Sequence, residues 1–361
     1  MKEEEKMFLA YKEIMHSKAR YLLITGLLFL IAYLVFFLTG LSYGLAQDNR
    51  LAVDAWSADQ IVLASDSNHI LGKSNFEADL ANEITADQKA LFSEMPGVVK
   101  LNEEGEKINV ALFGIQGDEF LKPDIVAGKM FDAPGQGVVD ISMKNQYGLE
   151  IGDSLQVANM DHPIIVVGFT KNQRFSVAPV VFTSLEDLKE IRYSGLGQLP
   201  EKDFINAVVV RGQANHVPEE LETISIEDFI QDIPGYRAQV VTFNFMIGFL
   251  IVIAAVVVGI FIYVLTMQKA PIFGVMKAQG IATSYIAKSV LGQSFLLASL
   301  GVVFALLATL ASAYLLPAAV PFALTWEYFL LVGILIIIAA VMAALFSVRA
   351  IAKVDPLEAM A

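Results

Sequence analysis

The 361-residue sequence has no cysteine and only four histidines. The first absence excludes disulfides, iron–sulfur clusters and cysteine-ligated zinc. The second leaves His16, His69, His162 and His216 far apart along the chain, with no HExxH pair to hold a catalytic zinc. His216-Val217-Pro218-Glu219 reads as a loop, because proline separates the only neighbouring ligand types. GxSxG and SxxK are also absent. Leu71-Gly72-Lys73-Ser74 resembles the end of a phosphate-binding loop, but Ser67 occupies the position where that loop needs its first glycine. No catalytic constellation, metal site or intrinsic cofactor site is visible, and the sequence does not read as that of an enzyme.

Charge is missing from long stretches as well. Tyr21 to Gln47, Ala238 to Gln268, Ser289 to Trp326 and Tyr328 to Val348 form apolar runs, in a chain that is 55% hydrophobic with mean hydropathy +0.57. Runs of about 20 apolar residues span bilayers. The first run exceeds the apolar core of a cleavable signal peptide and reads as a retained anchor. The third is too long for one span, and Pro317 and Pro321 end its helix before Glu327. The predicted spans are 21–47, 238–268, 289–316 and 328–348.

Basic residues orient these spans. Lys2, Lys6, Lys12, Lys18 and Arg20 precede the first, Lys269, Lys277 and Lys288 fall between the second and third, and Arg349 and Lys353 follow the fourth. With four spans, segment 1–20, loop 269–288 and tail 349–361 share the cytoplasmic side of the plasma membrane. Segment 48–237 then lies outside; it holds 15 Lys and Arg against 31 Asp and Glu, a net −16. So acidic a surface argues against a nucleic-acid partner. The spans carry no acid, base or histidine for an ion-coupled carrier, so energy must come from elsewhere.

Segment 48–237 reads as α+β. Strands are predicted at Ile61–Ser65, Ile108–Ile115, Gly137–Ile141, Ser154–Val157, Ile164–Phe169, Ala178–Phe182 and Ile205–Arg211. Capping-box spacing at Thr85-Ala86-Asp87-Gln88 predicts a helix to about Met95, and Ser184-Leu185-Glu186-Asp187 begins a second. Glu219–Leu221 and Ile226–Ile230 are short and ambiguous.

In loop 269–288, Ile272, Val275, Met276 and Gln279 share one helical face, with Phe273 beside them and Lys277 opposite. Gly280 suits a helix C-terminus, and Thr283 or Ser284 suits the next N-cap. This element reads either as an interfacial helix on lipid or as a docking helix for a cytoplasmic protein. Gly40-Leu41-Ser42-Tyr43-Gly44 is a GxxxG pattern, open to a dimer face or to packing within one chain. Phe36, Phe37, Tyr43, Tyr236, Phe243, Phe245 and Met246 gather at the outer ends of the first two spans; they fit an aromatic belt or the wall of a cleft for a flat apolar compound.

Pro271-Ile272-Phe273-Gly274-Val275-Met276-Lys277-Ala278-Gln279-Gly280-Ile281 resembles the loop after the second helix of the FtsX/MacB-type ABC transporter permeases. It departs at Pro271, where the family often has Arg or Glu, and at Gln279, where it has Leu. Lys353-Val354-Asp355-Pro356-Leu357-Glu358-Ala359-Met360 resembles the family's tail. Val138–Ser142, Gly148–Leu155 and Val166–Phe169 resemble its extracytoplasmic core, and the 1+3 helix layout agrees. Tyr11–Met15, Gly40–Leu45 and Tyr263–Lys269 are similar to the haem-efflux branch.

The resemblance implies a membrane α-helical fold, four transmembrane helices in 1+3 order, with an inserted MacB-like α+β extracytoplasmic domain. It implies a permease that pairs with a second copy of itself and with two copies of a separate cytoplasmic ATPase, where ATP is hydrolysed. Ile272, Phe273, Gly274, Val275, Lys277 and Gly280 would couple to that ATPase, and Gly40 and Gly44 would lie at the dimer face. Haem is implied as a transported substrate, with Tyr43 and Tyr236 as iron ligands. Export of peptides, antibiotics or lipoproteins stays open, as do an adaptor or lipoprotein partner and an FtsX-like mechanotransmitter.

Overall fold

In the computed structural model, the residues described are 18–101, 105–117, 119–158, 163–194, 199–317 and 319–352. Residues 1–17 and 353–361, with Lys2, Lys6 and Lys12 of the basic N-terminal segment, His16 and the family-like tail, lie outside them, as does His162. In chain order the elements are α1 (Lys18–Ala55), β1 (Gln60–Ala64), β2 (Phe76–Glu77), β3 (Gln88–Lys100), β4 (Lys107–Ile115), β5 (Ile125–Gly128), β6 (Gln136–Asp140), α2 (Ile141–Tyr147), β7 (Ser154–Val157), β8 (Ile164–Thr170), β9 (Arg174–Phe175) and β10 (Ala178–Ser184). There follow α3 (Leu185–Tyr193), β11 (Phe204–Ile205), β12 (Ala207–Arg211), β13 (Leu221–Ser225), α4 (Ile226–Asp232), α5 (Tyr236–Gln268), α6 (Ala270–Ala278), α7 (Thr283–Leu315) and α8 (Trp326–Ala352). They divide between two compact units, residues 1–44 with 241–361, and residues 45–240.

In the helical unit, α1, α5, α7 and α8 are long and apolar enough to cross a membrane. All four helices overrun the apolar runs that predict them, because helical hydrogen bonding does not stop where hydrocarbon ends. Helix α1 continues to Ala55, α5 begins at Tyr236, α7 begins at Thr283, and α8 runs from Trp326 to Ala352. Helix α7 ends at Leu315, ahead of Pro317.

Small residues set the helix spacing. A Cβ on Gly301 of α7 would lie 2.9 Å from the Leu28 Cβ of α1. On Gly40 it would stand 2.3 Å from the Phe322 ring, and on Gly44 2.3 Å from the Pro321 carbonyl oxygen. The Ala323 N–H also donates to the Gly40 carbonyl at 3.1 Å. The GxxxG face is therefore filled by the chain's own α7–α8 connection. This corrects the dimer-face expectation for Gly40 and Gly44: no space remains there for a second helix. Tyr33 and Ser312 share a 2.8 Å hydrogen bond between α1 and α7.

In the β-rich unit eleven strands share one continuous pairing scheme, and β2 and β11 pair separately. β13, β1, β12 and the first half of β3 form an antiparallel layer. The second half of β3 belongs to a ring, β3–β4–β10–β6–β8–β7, which closes because β7 pairs with both β8 and β3. The closed ring is a six-stranded barrel; Val99, Val110, Leu112, Val139, Leu155, Val166, Phe169 and Val181 pack together as its core, with Leu188 and Ile191 of α3. Ser184 caps α3 by accepting from the Asp187 N–H.

Four local expectations change. The stretch 85–95 is not a helix: Thr85 bridges Asn215, and residues 88–100 are strand β3. The buried Ala90 and Phe92 alternate along it, and their place in the core outweighs a capping-box spacing. Residues 205–211 divide into β11, paired with β2, and β12, paired with β1 and β3. The ambiguous 219–230 region resolves into β13 and α4. Ala282, rather than Thr283 or Ser284, stands at the N-cap of α7, with no side-chain cap bond.

His69 holds a left-handed conformation, φ 59°. Its Nδ1 lies 2.6 Å from Asp232 Oδ2 and its Nε2 3.4 Å from Glu222 Oε1. With a carboxylate on each side the ring is favoured doubly protonated, and the Asp232 hydrogen bond is the largest cause raising its pKa above 6.5. A raised histidine pKa contributes stability that is complete below 6.5 and is lost as pH rises through the folded value. His69→Gln is therefore expected to lower the melting temperature near pH 5.5 and to change it little near pH 9, in paired thermal scans. For the helical unit, Gly44→Ala is expected to destabilise by about 1–3 kcal/mol, because the new Cβ meets backbone rather than a movable side chain. Wild-type melting of this variant would overturn the close packing on Pro321.

Candidate functional site: the short helix α6 and the aromatic residues of α1 and α5

Helix α5 passes into α6 through the single residue Lys269, at φ −99° and ψ 3°. The break redirects the chain, and the Phe273 N–H takes up the Lys269 carbonyl at 3.0 Å. Pro271 suits the first turn, where no N–H is needed. At the other end Gly280 has φ 85°; its N–H donates to Lys277 O at 2.9 Å, and the Ile281 N–H donates to Met276 O at 3.0 Å. These two bonds form a Schellman motif, so Gly280 occupies the C′ position that its sequence predicts. Four residues separate α6 from α7, which leaves a tight, rigid elbow.

Burial divides the residues of α6. Phe273 is buried with Ile24, Leu28, Val258, Ile262, Leu265 and Ile286. Gly274 is buried beside it, and Met276 and Lys277 are half-buried. Ile272 and Val275 are exposed, at 60% and 43%, and so are Gln279 and Gly280. Phe273 is thus an anchor that fixes the elbow to the bundle, and Ile272, Val275 and Gln279 form the outward surface. The expectation that Met276 shares the outward face is corrected, because its side chain packs against the same core as Phe273.

The aromatic residues also separate. Phe36 is buried edge-on to Phe329, with ring centroids 5.7 Å apart. Phe37 lies 5.5 Å from Phe322, and Tyr43 lies 5.1 Å from Tyr328. Phe243 is half-buried, whereas Phe245 and Met246 are exposed at 65% and 44%. Tyr236 is different. It is 6% exposed, inside the core of the β-rich unit with Trp56, Phe92 and Phe229, and Arg50 lies beside it. Its expected role in a cleft wall is corrected, because the first turn of α5 is packed into that core. Phe245 and Met246 on α5, and the half-buried Tyr43 on α1, remain as accessible aromatic and thioether surface.

A groove that hydropathy does not reveal lies between α5 and α8. It has a volume of about 480 Å³, with a floor of Ala255, Gly259, Ala339 and Ala343 and walls that include Tyr263 and Phe346. The signal was the recurrence of small residues four apart in both helices, which hydropathy alone does not display.

Residues 244–356 match the FtsX-like permease C-terminal family. Along nearly the whole chain the sequence is 26% identical to the protein named as a hemin transport system permease, HrtB, in Staphylococcus epidermidis, over 360 residues, 98% of this chain and 99% of that one. The protein of the same name in Staphylococcus haemolyticus is also 26% identical, over 361 residues, with the same coverage. An uncharacterized ABC transporter permease of Mycobacterium bovis is 23% identical over 360 residues, 97% of this chain and 98% of that one. Among solved structures, the extracellular domain of the noncanonic ABC-type transporter YknZ is similar with TM-score 0.30 and 14% identity, covering 43% of this chain and 83% of that one. Residues 244–356 form an FtsX-like permease domain, and the chain is the membrane permease component of an ABC transporter.

Proposed function

We propose that this permease works as a homodimer with two copies of a separate cytoplasmic ATPase and exports haem or a similar flat amphipathic compound from the plasma membrane. The single observation that carries the substrate class is the end-to-end similarity to proteins named as hemin transport permeases. The excess of Lys and Arg in the segments flanking the spans supports cytoplasmic termini, with the β-rich unit outside.

In this reading α6 is the contact with the ATPase. Ile272 and Val275 offer apolar surface, and Lys277 supplies charge toward an acidic partner. Phe273, held in the bundle core, turns a push on α6 into movement of α5 and α7. The Schellman end and the break at Lys269 make the elbow stiff at both junctions. The substrate would meet Tyr43, Phe245 and Met246, where a phenol or thioether can ligate haem iron and Phe245 can cover the macrocycle.

Ile272→Glu together with Val275→Glu places charge on exposed positions and leaves Phe273 in place. The double variant is expected to accumulate in membranes at the wild-type level and to abolish co-purification of the ATPase. Undiminished co-purification would refute α6 as the contact. For the substrate, haemin titration of the purified protein is expected to give a saturable Soret shift that Tyr43→Phe or Met246→Ala weakens by about tenfold. Tyr236→Phe should leave the titration unchanged, since Tyr236 is buried elsewhere. A non-saturating shift indifferent to Tyr43 and Met246 would move the substrate to another amphiphile.

A further inference from the structure

Strand β3 has an unusual gap in its pairing. Residues 88–92 pair with β12, residues 93–100 pair with β4, and β7 adds a second neighbour only at 99–100. From Ser93 to Val98, β4 is the sole partner strand, and Pro96, which has no N–H to offer, stands in this stretch. Side chains take the place of the missing strand. The Glu94 N–H donates to Asn206 Oδ1 at 2.9 Å, and Arg192 Nη2 donates to the Glu94 carbonyl at 3.0 Å and to Asn206 Oδ1 at 2.6 Å.

The Glu94 carboxylate takes no hydrogen bond from this arrangement and is favoured only by the charge of Arg192. The residue is 7% exposed, and no hydrogen bond reaches its carboxylate among the described residues. Burial pushes the carboxyl up to about 7, against the pull of Arg192. A cavity of about 520 Å³ opens along this stretch, lined by Glu94, Pro96, Val98, Asn109, Ala111 and Phe175 among others. The β3–β4 register pairs Pro96 with Ala111 and Val98 with Asn109, so strand alternation puts these four on the same face as Glu94. Among the described residues, Glu94 is the only acidic one lining the cavity.

We propose that this cavity is a binding site for an organic cation with an apolar body, whose ammonium or guanidinium group is taken by the Glu94 carboxylate. A buried carboxylate without a hydrogen-bond donor is costly even with Arg192 nearby, and a cation that also fills the apolar walls reduces that cost. The site does not suit a divalent metal, which needs several oxygen ligands where the described residues bring one carboxylate to the space. An anion does not fit either, because Arg192, which also lines the cavity, gives its hydrogen bonds to Asn206 and backbone, and its charge is already drawn on by the Glu94 carboxylate. The net −16 of residues 48–237 raises the local concentration of cations around it. This site lies within the β-rich unit and does not depend on haem being the substrate.

The test is calorimetric titration of the full-length protein with phenethylamine, and with phenethyl alcohol as its uncharged counterpart. The amine is expected to bind saturably near pH 8.5, where Glu94 is ionised, and about tenfold or more weakly near pH 5.5, where it is protonated. The alcohol is expected to bind about tenfold more weakly than the amine near pH 8.5. Glu94→Gln should remove the preference for the amine. Asn109→Trp, at an exposed position on the rim, should close the cavity and reduce amine binding while the protein melts as wild type. Equal binding of amine and alcohol would overturn the proposal, as would wild-type affinity in a folded Asn109→Trp protein.

Discussion

Hydrocarbon offers no partner to a backbone N–H or carbonyl, and the helical unit is organised by that constraint. Only segments that satisfy their own backbone can cross, which makes all four apolar runs helical. Side-chain hydroxyls in these runs obey the same rule. Thr39 Oγ1 donates to Val35 O at 2.7 Å, Thr309 Oγ1 to Ala305 O at 2.9 Å, and Ser294 Oγ to Ala340 O at 3.3 Å. With the polar groups so committed, the helices attract one another through close packing, and the glycines at 40, 44 and 301 supply it. Where Pro317 ends α7, the chain turns back through Pro321 and Phe322 to seat on two of those glycines.

The β-rich unit answers the same need by sharing one strand. β3 serves an antiparallel layer with its first half and a closed barrel with its second. A strand that changes partners along its length leaves residues near the change with one neighbour. Asn206 and Arg192 supply the bonds there, with Ser74 holding Asn206 in turn: its Oγ donates to Asn206 O, and its carbonyl accepts from Asn206 Nδ2. The arrangement satisfies the backbone of Glu94 and leaves its carboxylate without a hydrogen bond among the described residues.

How much of this could be read in the sequence follows from the range of each interaction. The spans were legible because hydropathy is local, and the Gly280 terminus was legible because a C′ glycine is set by the few residues before it. The strands at Ser154–Val157 and Ile164–Thr170 were legible from composition. The residues 85–95 were misread because Thr85 to Gln88 has a helical start signal, whereas Phe92 owes its conformation to β12, more than a hundred residues away. Gly40 and Gly44 could not be assigned for the same reason, since their partners at 321–323 are distant in sequence. Tyr236 looked interfacial because it adjoins an apolar run; α5 begins two residues earlier than that run, inside a core.

The division of α6 between buried and exposed residues bears on how force could pass through it. A helix lying loosely on a membrane would need its apolar side chains only for lipid. Here Phe273 is buried in a cluster built from α1, α5, α7 and α8, while Ile272 and Val275 are exposed. One face therefore joins the core of the bundle and the other is offered outward. Such an arrangement moves the bundle when the outward face is pushed, because a densely packed core transmits displacement better than it absorbs it. The central stretches of the helices carry no Asp, Glu, Lys, Arg or His, which agrees with the proposal that energy enters this chain by a push on α6.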